Sequence, residues 1–217
     1  MAGRRPKARK AELDTRVMIL AAARKIFAAQ GIDGTSVREV AKAARVNNAM
    51  IYYHFRDKTD LYREVLRDSF TTFDRIWEHP IFKGNAPARQ KIVKYMEEFI
   101  RFEHANEDLR RILSMEFANC GRNCKWLANT FFVHGYERLS RILAQGMRSG
   151  ELKRIDPAIA LSCLFGMIVQ SFIMQPIAEI ITGKELDLSV RRFGKFATDL
   201  FFDGLESRSE ILPERGS

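Results

Sequence analysis

The chain has 217 residues, 46% hydrophobic and 29% charged, enough for one large core or two modest ones and too apolar for a disordered segment. Three cysteines, Cys120, Cys124 and Cys163, exclude a disulfide framework and fit a reducing cytoplasm, and the basic start MAGRRPKARKAELD lacks the apolar run of an export signal. The net charge of +9 is concentrated, with 13 Lys/Arg against 6 Asp/Glu in residues 1–60 and 23 against 21 in the rest, so the natural partner of the first quarter is a polyanion.

Apolar residues recur at helical spacing nearly throughout, and no alternating Thr/Val-rich run appears, so the expected fold class is all-α. Residues 1–13 read as a basic flexible arm with Arg4, Arg5, Lys7, Arg9 and Lys10, either a solvated tail or an arm for a DNA minor groove. A first helix is expected from Asp14 or Thr15 to Gln30, with Ile19, Leu20, Ala23, Ile26 and Phe27 inward and Gly31 as its left-handed stop. Ser36 and Glu39 have the S-x-x-E spacing of a capping box, which opens a short helix with Val37, Val40, Ala41 and Ala44 on its buried stripe. Asn47 can cap a third helix that turns Val46, Ile51 and Phe55 to the core. A fourth begins near Asp57 or Lys58 and continues through Leu61, Val65 and Leu66 toward Trp77.

The stretch HPIFKGNAP then breaks the pattern and suggests a hinge. The domains that follow are 14–58, containing the motif 36–55, a connecting helix 59–78, a second domain 79–207 and a tail 208–217. Further helices are expected at about 87–104, 107–120, 124–149, 157–182 and 188–204, with stops at Gly150 and Gly183 and a cap at Asp156 before Pro157. Pro176 should kink or end its helix. The run from Pro157 to Ala178 is uncharged and long enough to span a bilayer, but Ser162, Gln170, Ser171, Gln175 and Pro176 interrupt it, and a helix buried between protein surfaces is the reading adopted. The last two helices have broad apolar faces, with Phe165 and Val169 on one and Phe193, Ala197, Leu200 and Phe201 on the other, which a second copy of the chain would cover.

Two short helices joined by a tight turn can place side chains in the DNA major groove. Burial accounts for Val46, Ile51 and Phe55 of the second of them but not for Asn47, Asn48, Met50, Tyr52, Tyr53 and His54. Amides can pair with adenine, phenols can reach phosphate oxygens, and a Met or Ala methyl can meet the thymine methyl. Lys58 can add its charge to the helix N–H groups that face one phosphate.

The segment TSVREVAKAARVNNAMIYYHFRDKTDLY, with the phenylalanine of RKIFAAQG, the T-S before the second helix, A-x-x-A-x-V at the turn, Y-Y-H-F and the Lys three residues later, resembles the N-terminal domain of the TetR family of transcriptional regulators. The resemblance covers residues 15–66 and implies a homodimer that binds double-stranded, pseudo-palindromic operator DNA and releases it on binding a small-molecule effector. It implies DNA contacts from Thr35, Ser36 and Arg38 on the second helix, Asn47, Asn48, Ala49, Met50, Tyr52, Tyr53 and His54 on the third, and Lys58. Arg45 stands where the family usually has Gly; a positive φ there should cost about 1 kcal/mol, offset if Arg45 meets a phosphate. Ala49 and Met50 replace a more usual Gly and small polar residue, so the target sequence does not carry over.

Phe99, Phe102, Met115, Phe117, Phe131, Phe132 and Met174 either line an effector pocket, as the resemblance implies, or are ordinary core. Cys120 and Cys124, with His104 and His134, offer a conceivable metal or thiol sensor, but the Gly-Arg-Asn insert and the lack of a C-x-x-C pair favour a structural role, so no metal and no cofactor is expected. Glu103, Glu116, Arg110 and Arg111 read as solvated helix charges. No G-x-S-x-G elbow, phosphate loop or H-E-x-x-H occurs, so the chain does not read as an enzyme. Two rivals to the regulator reading are a helical small-molecule-binding protein or enzyme with a vestigial basic domain, and a sequence-indifferent DNA binder.

Overall fold

The computed structural model describes residues 6–118 and 123–205. Arg4, Arg5, the tail 208–217 and Cys120 lie outside the described residues. The chain packs as two units, one of residues 1–74 and 106–128, the other of 75–105 and 129–217. It therefore passes between the units at three points, whereas the linear reading has one boundary near residue 79.

In the first unit, helix α1 (Pro6–Gly34) begins earlier than the expected Asp14, so 6–13 is helical backbone rather than an irregular arm. Gly31 adopts φ 68° inside this span and breaks the helical path at the expected stop. The capping box forms at the start of α2 (Val37–Ala43): the Glu39 N–H donates to Ser36 Oγ at 3.2 Å and the Ser36 N–H to Glu39 Oε2 at 2.8 Å. These bonds hold the Glu39 carboxyl below its ordinary pKa, the backbone bond from Ser36 contributing most. The turn to α3 (Asn48–His54) passes through Arg45 at φ 55°, the left-handed geometry for which glycine is usual. Asn47 caps α3, its Oδ1 accepting from the Met50 N–H at 2.9 Å.

Helix α4 (Lys58–Asp74) and α1 pack together, and α7 (Glu107–Ala118), a segment expected in the second domain, lies against α1. Ile19, Ala23, Phe27, Val40, Ile51, Phe55, Leu61, Val65, Leu66 and Ile112 form the core, with the Phe27 and Tyr62 rings edge to face at 5.1 Å. Glu116 is buried, not solvated as expected, because it holds two donors: the Tyr62 hydroxyl and the Asn123 N–H. Cys124, at the start of α8 (Cys124–Leu127), donates its thiol to the Glu116 carbonyl at 3.4 Å.

The second unit begins with a 3₁₀ turn (Arg75–Glu78) and the short α5 (Pro80–Lys83), which occupies part of the expected break. Helices α6 (Ala88–Ala105), α9 (Val133–Arg148), α10 (Pro157–Thr182) and α11 (Lys195–Leu205) form its body. The expected helix 124–149 is interrupted by a π turn over Ala128–Phe132, and α11 is likewise preceded by one over Val190–Gly194. Glu151 ties the α9–α10 connection to α6, accepting from the Ala88 N–H at 3.0 Å and the Arg89 N–H at 2.8 Å. Gly146 lets α9 approach closely: a Cβ there would meet Ala88 Cβ and Leu152 Cδ1 at 2.8 Å.

Asp156 caps α10 through the Ala158 N–H at 2.7 Å, and Gly183, at φ 64°, ends it. Pro176 does not end the helix, which continues to Thr182. Helix α10 is long and apolar enough to cross a membrane by length and composition, while its Ala160, Leu161, Leu164, Ile168 and Phe172 are buried within the unit. Glu103 is also buried, against expectation, on α6 among Phe99, Ile100 and Phe102. His104 bonds the Leu188 carbonyl through Nε2 at 2.7 Å and sets its ring edge to face on Phe172.

Candidate nucleic-acid interface

Helix α3 is short, with one buried side, one solvent side and Met50 and His54 between them. Ile51 and Phe55 are 1% and 2% exposed and fix the helix to the unit's core. Asn48, Ala49, Tyr52 and Tyr53 point outward, the two tyrosines 57% and 53% exposed. Apolar burial does not hold these four, and amides and phenols presented on a capped helix are the groups that read base edges and phosphates. Met50 and His54 are half-buried. The His54 ring lies edge to face with Tyr53 at 5.1 Å, and its Nε2 is shielded from solvent without a hydrogen-bond partner. Asn47 is exposed but spends its side-chain oxygen on the cap, so its NH₂ group is what remains to meet a base.

Ser36, Arg38 and Arg45 are exposed on the flanking helix and turn. Thr35 is a correction: its side chain is buried, with the hydroxyl donating to the Gly31 carbonyl at 2.6 Å, so it secures the turn before α2 and does not face outward. Lys58 is half-buried and donates from Nζ to the Thr35 carbonyl at 2.9 Å, linking the start of α4 to the start of α2. An ammonium has three protons, so this bond leaves two for a phosphate. The contact that sequence reasoning missed is Tyr53 to Glu12, whose Oε1 accepts from the phenol at 2.9 Å. A partner 41 residues away on another helix leaves no periodic signal.

In the second unit Phe99 and Phe102 are buried and Phe131 and Phe132 half-buried, whereas Met174 lies on the exposed side of α10. Met115 and Phe117 belong to the first unit; Phe117 is 48% exposed, outside any enclosed lining. Three of the residues expected at a dimer contact are corrected: Phe193, in the π turn before α11, and Ala197 and Phe201, in α11, are 9%, 0% and 7% exposed within one chain because these segments turn them onto their own unit. Phe165 and Val169 are half-buried and Leu200 is exposed. The exposed apolar side chains among the described residues instead include Ile159, Ile173, Ile177, Ile180 and Ile181 of α10 and Phe196 and Leu200 of α11. Their helical spacing was readable, but with both faces of each helix apolar the pattern does not say which side the chain itself covers.

A capped helix held by Ile51 and Phe55 behind a left-handed turn, with polar groups outward in the most basic part of the chain, defines a helix-turn-helix DNA-binding protein. Residues 19–65 match the family model of bacterial regulatory proteins, tetR family, which identifies this segment as a TetR-family DNA-binding domain. The chain is 48% identical over 52 residues to the HTH-type transcriptional regulator AcrR of Shigella flexneri, a match confined to 24% of either chain. It is 25% identical over 153 residues to the fatty acid metabolism regulator protein of Bacillus subtilis, covering 70% of this chain and 78% of that one. Among solved structures, Bacillus subtilis FadR in complex with stearoyl-CoA shares the fold at TM-score 0.69 and 22% identity, over 87% of this chain and 98% of that one. FadR of Bacillus halodurans does so at TM-score 0.70 and 19% identity, over 95% and 100%.

Proposed function

We propose that the chain is a cytoplasmic, homodimeric repressor that leaves its operator when a small apolar or amphipathic compound binds the second unit. The observation that carries the DNA reading is the division of α3 and its C-cap between a buried pair, Ile51 and Phe55, and an outward set, Asn48, Ala49, Tyr52 and Tyr53. In this reading Asn47, Asn48, Ala49 and Met50 meet base edges, and Ser36, Arg38, Arg45, Tyr52, Tyr53, His54 and Lys58 hold the backbone around them. Two copies on a pseudo-palindrome place their recognition helices about one helical turn apart, roughly 34 Å.

An effector acts by binding better to a packing of the second unit that spoils this spacing, and its differential affinity sets the loss of operator binding. The chain crosses between units at 74/75, 105/106 and 128/129, so a shift within the second unit is felt by α4, α7 and α8 through the backbone itself. Phe99, Phe102, Phe131 and Phe132 are the second-unit aromatic residues proposed to meet the compound. The names of the Bacillus relatives, a fatty acid metabolism regulator and a FadR bound to stearoyl-CoA, support long-chain acyl-CoA as the first compound to try.

The test is selection of bound duplexes from a random pool by the purified dimer, repeated with long-chain acyl-CoA present. A single palindromic consensus, lost on adding the compound, is the expected result. Equal recovery of all sequences at every salt concentration would reject the repressor in favour of sequence-indifferent binding.

A further inference from the structure

The Tyr53 hydroxyl has one proton to donate, and in the free chain Glu12 takes it at 2.9 Å, joining the outer face of α3 to α1. Glu12 is out of keeping with its surroundings: it is the single acidic residue of positions 1–13, which hold five Lys/Arg. A DNA phosphate approaching the half-exposed Tyr53 ring competes for the same proton, and the carboxylate that already holds it carries the same sign of charge as the phosphate.

We propose that the Glu12–Tyr53 contact is an autoinhibitory latch: DNA engages Tyr53 only by exchanging its hydrogen bond from Glu12 to a phosphate oxygen. The exchange moves no covalent bond and needs no other reactant. Phosphate contact is shared by operator and arbitrary DNA, so holding back one backbone donor lowers affinity for both while leaving the base-reading amide of Asn48 untouched. The latch rests on the DNA-binding reading above.

A double-mutant cycle with Glu12→Gln and Tyr53→Phe separates the latch from the plain loss of a negative charge. Affinity is measured for a duplex of arbitrary sequence, long enough for two successive major-groove turns, across a salt series. Glu12→Gln should bind about threefold to tenfold tighter at low salt. With Phe at position 53 the same change should give less than half of that gain. Glu12→Asp, which keeps the charge but falls one methylene short of the hydroxyl, should give part of it. A gain undiminished in the Tyr53→Phe background, or no gain from Glu12→Gln, overturns the latch. Thermal melts of the four proteins establish that folded chains are compared. A parent chain that binds no duplex at any salt concentration removes the DNA reading and the latch together, whereas binding with an additive cycle removes the latch alone.

Discussion

The Tyr62 hydroxyl of α4 donates to Glu116 Oε2 of α7 at 3.1 Å, and the other oxygen of that carboxylate accepts the Asn123 N–H at 2.9 Å. One buried carboxylate thus joins the connecting helix to a segment that re-enters the first unit from far along the chain. Burial pushes the Tyr62 phenol well above the usual tyrosine range, and the Glu116 charge and hydrogen bond push it further. Replacing Tyr62 by Phe leaves Glu116 Oε2 without this donor and should cost about 1–3 kcal/mol at neutral pH. A phenol with a raised folded-state pKa contributes stability in full below the unfolded value, about 10, and loses it as pH rises toward the folded value. Denaturant melts at pH 7 and above pH 10 should show the parent losing its advantage over Tyr62→Phe in alkali. Parallel curves would mean that Tyr62 ionises equally in both states.

Arg45 invites a prediction in which two measurements move in opposite directions. Its φ of 55° strains any residue with a Cβ, so Arg45→Gly should relieve strain. Because glycine also loosens the unfolded chain, the net stabilisation should be small, about 1 kcal/mol or less. The exposed guanidinium is lost at the same time, and affinity for all duplexes should fall with a salt slope shallower by about one ion. Melting and a salt-dependent binding series on the same variant check both. Weaker binding with lower stability would show that Arg45 holds the turn through contacts of its own.

Asn48 and Lys58 should separate reading from gripping. Asn48→Ala removes an exposed amide, so it should leave stability nearly unchanged and relax discrimination at one base pair by about 1–3 kcal/mol. Lys58→Ala should weaken binding to every sequence alike and also lower the melting temperature, because its Nζ bond to the Thr35 carbonyl supports the entry to α2. Binding of both variants to the selected operator and to single-base variants of it, with melts alongside, distinguishes the two behaviours.

The parts legible in the sequence were those fixed by local chemistry. The Ser36–Glu39 box, the Asn47 and Asp156 caps, the stops at Gly31 and Gly183 and the left-handed Arg45 all depend on residues within a turn of one another, and each is present. What the pattern could not carry was partner choice at a distance. Glu116 looks like any solvated helix charge until Tyr62 and Asn123 are brought to it, and Tyr53 looks free until Glu12 arrives. The burial of Thr35, which the resemblance implies as a DNA contact, is of the same kind, since its bond to the Gly31 carbonyl depends on how α1 ends. Pro176 was open between a kink and an end, and α10 runs through it to Thr182, so the residue type alone did not set the helix boundary.

The apolar surface of α10 and α11 yields the prediction that most sharply separates the chain's own packing from its pairing with a second copy. Ala197 and Phe201 are enclosed within one chain, whereas Phe196 and Leu200, their neighbours in sequence, are 63% and 55% exposed. Ile177 on α10 is 48% exposed. Exposed apolar side chains of this kind are stable in water when another surface covers them, and a twofold axis lets two copies cover each other. Phe196→Glu with Leu200→Glu, or Ile177→Glu alone, should therefore give a monomer of unchanged helix content that binds a half-site weakly and has lost affinity for the full palindrome. Ala197→Glu buries a charge without a partner and should instead unfold the second unit, with loss of helix signal and of cooperative melting. Sedimentation equilibrium and circular dichroism on the same samples decide the matter. A dimer that survives Phe196→Glu with Leu200→Glu and Ile177→Glu would show that the two copies meet elsewhere, and the spacing of the recognition helices would then have to be set by a different surface.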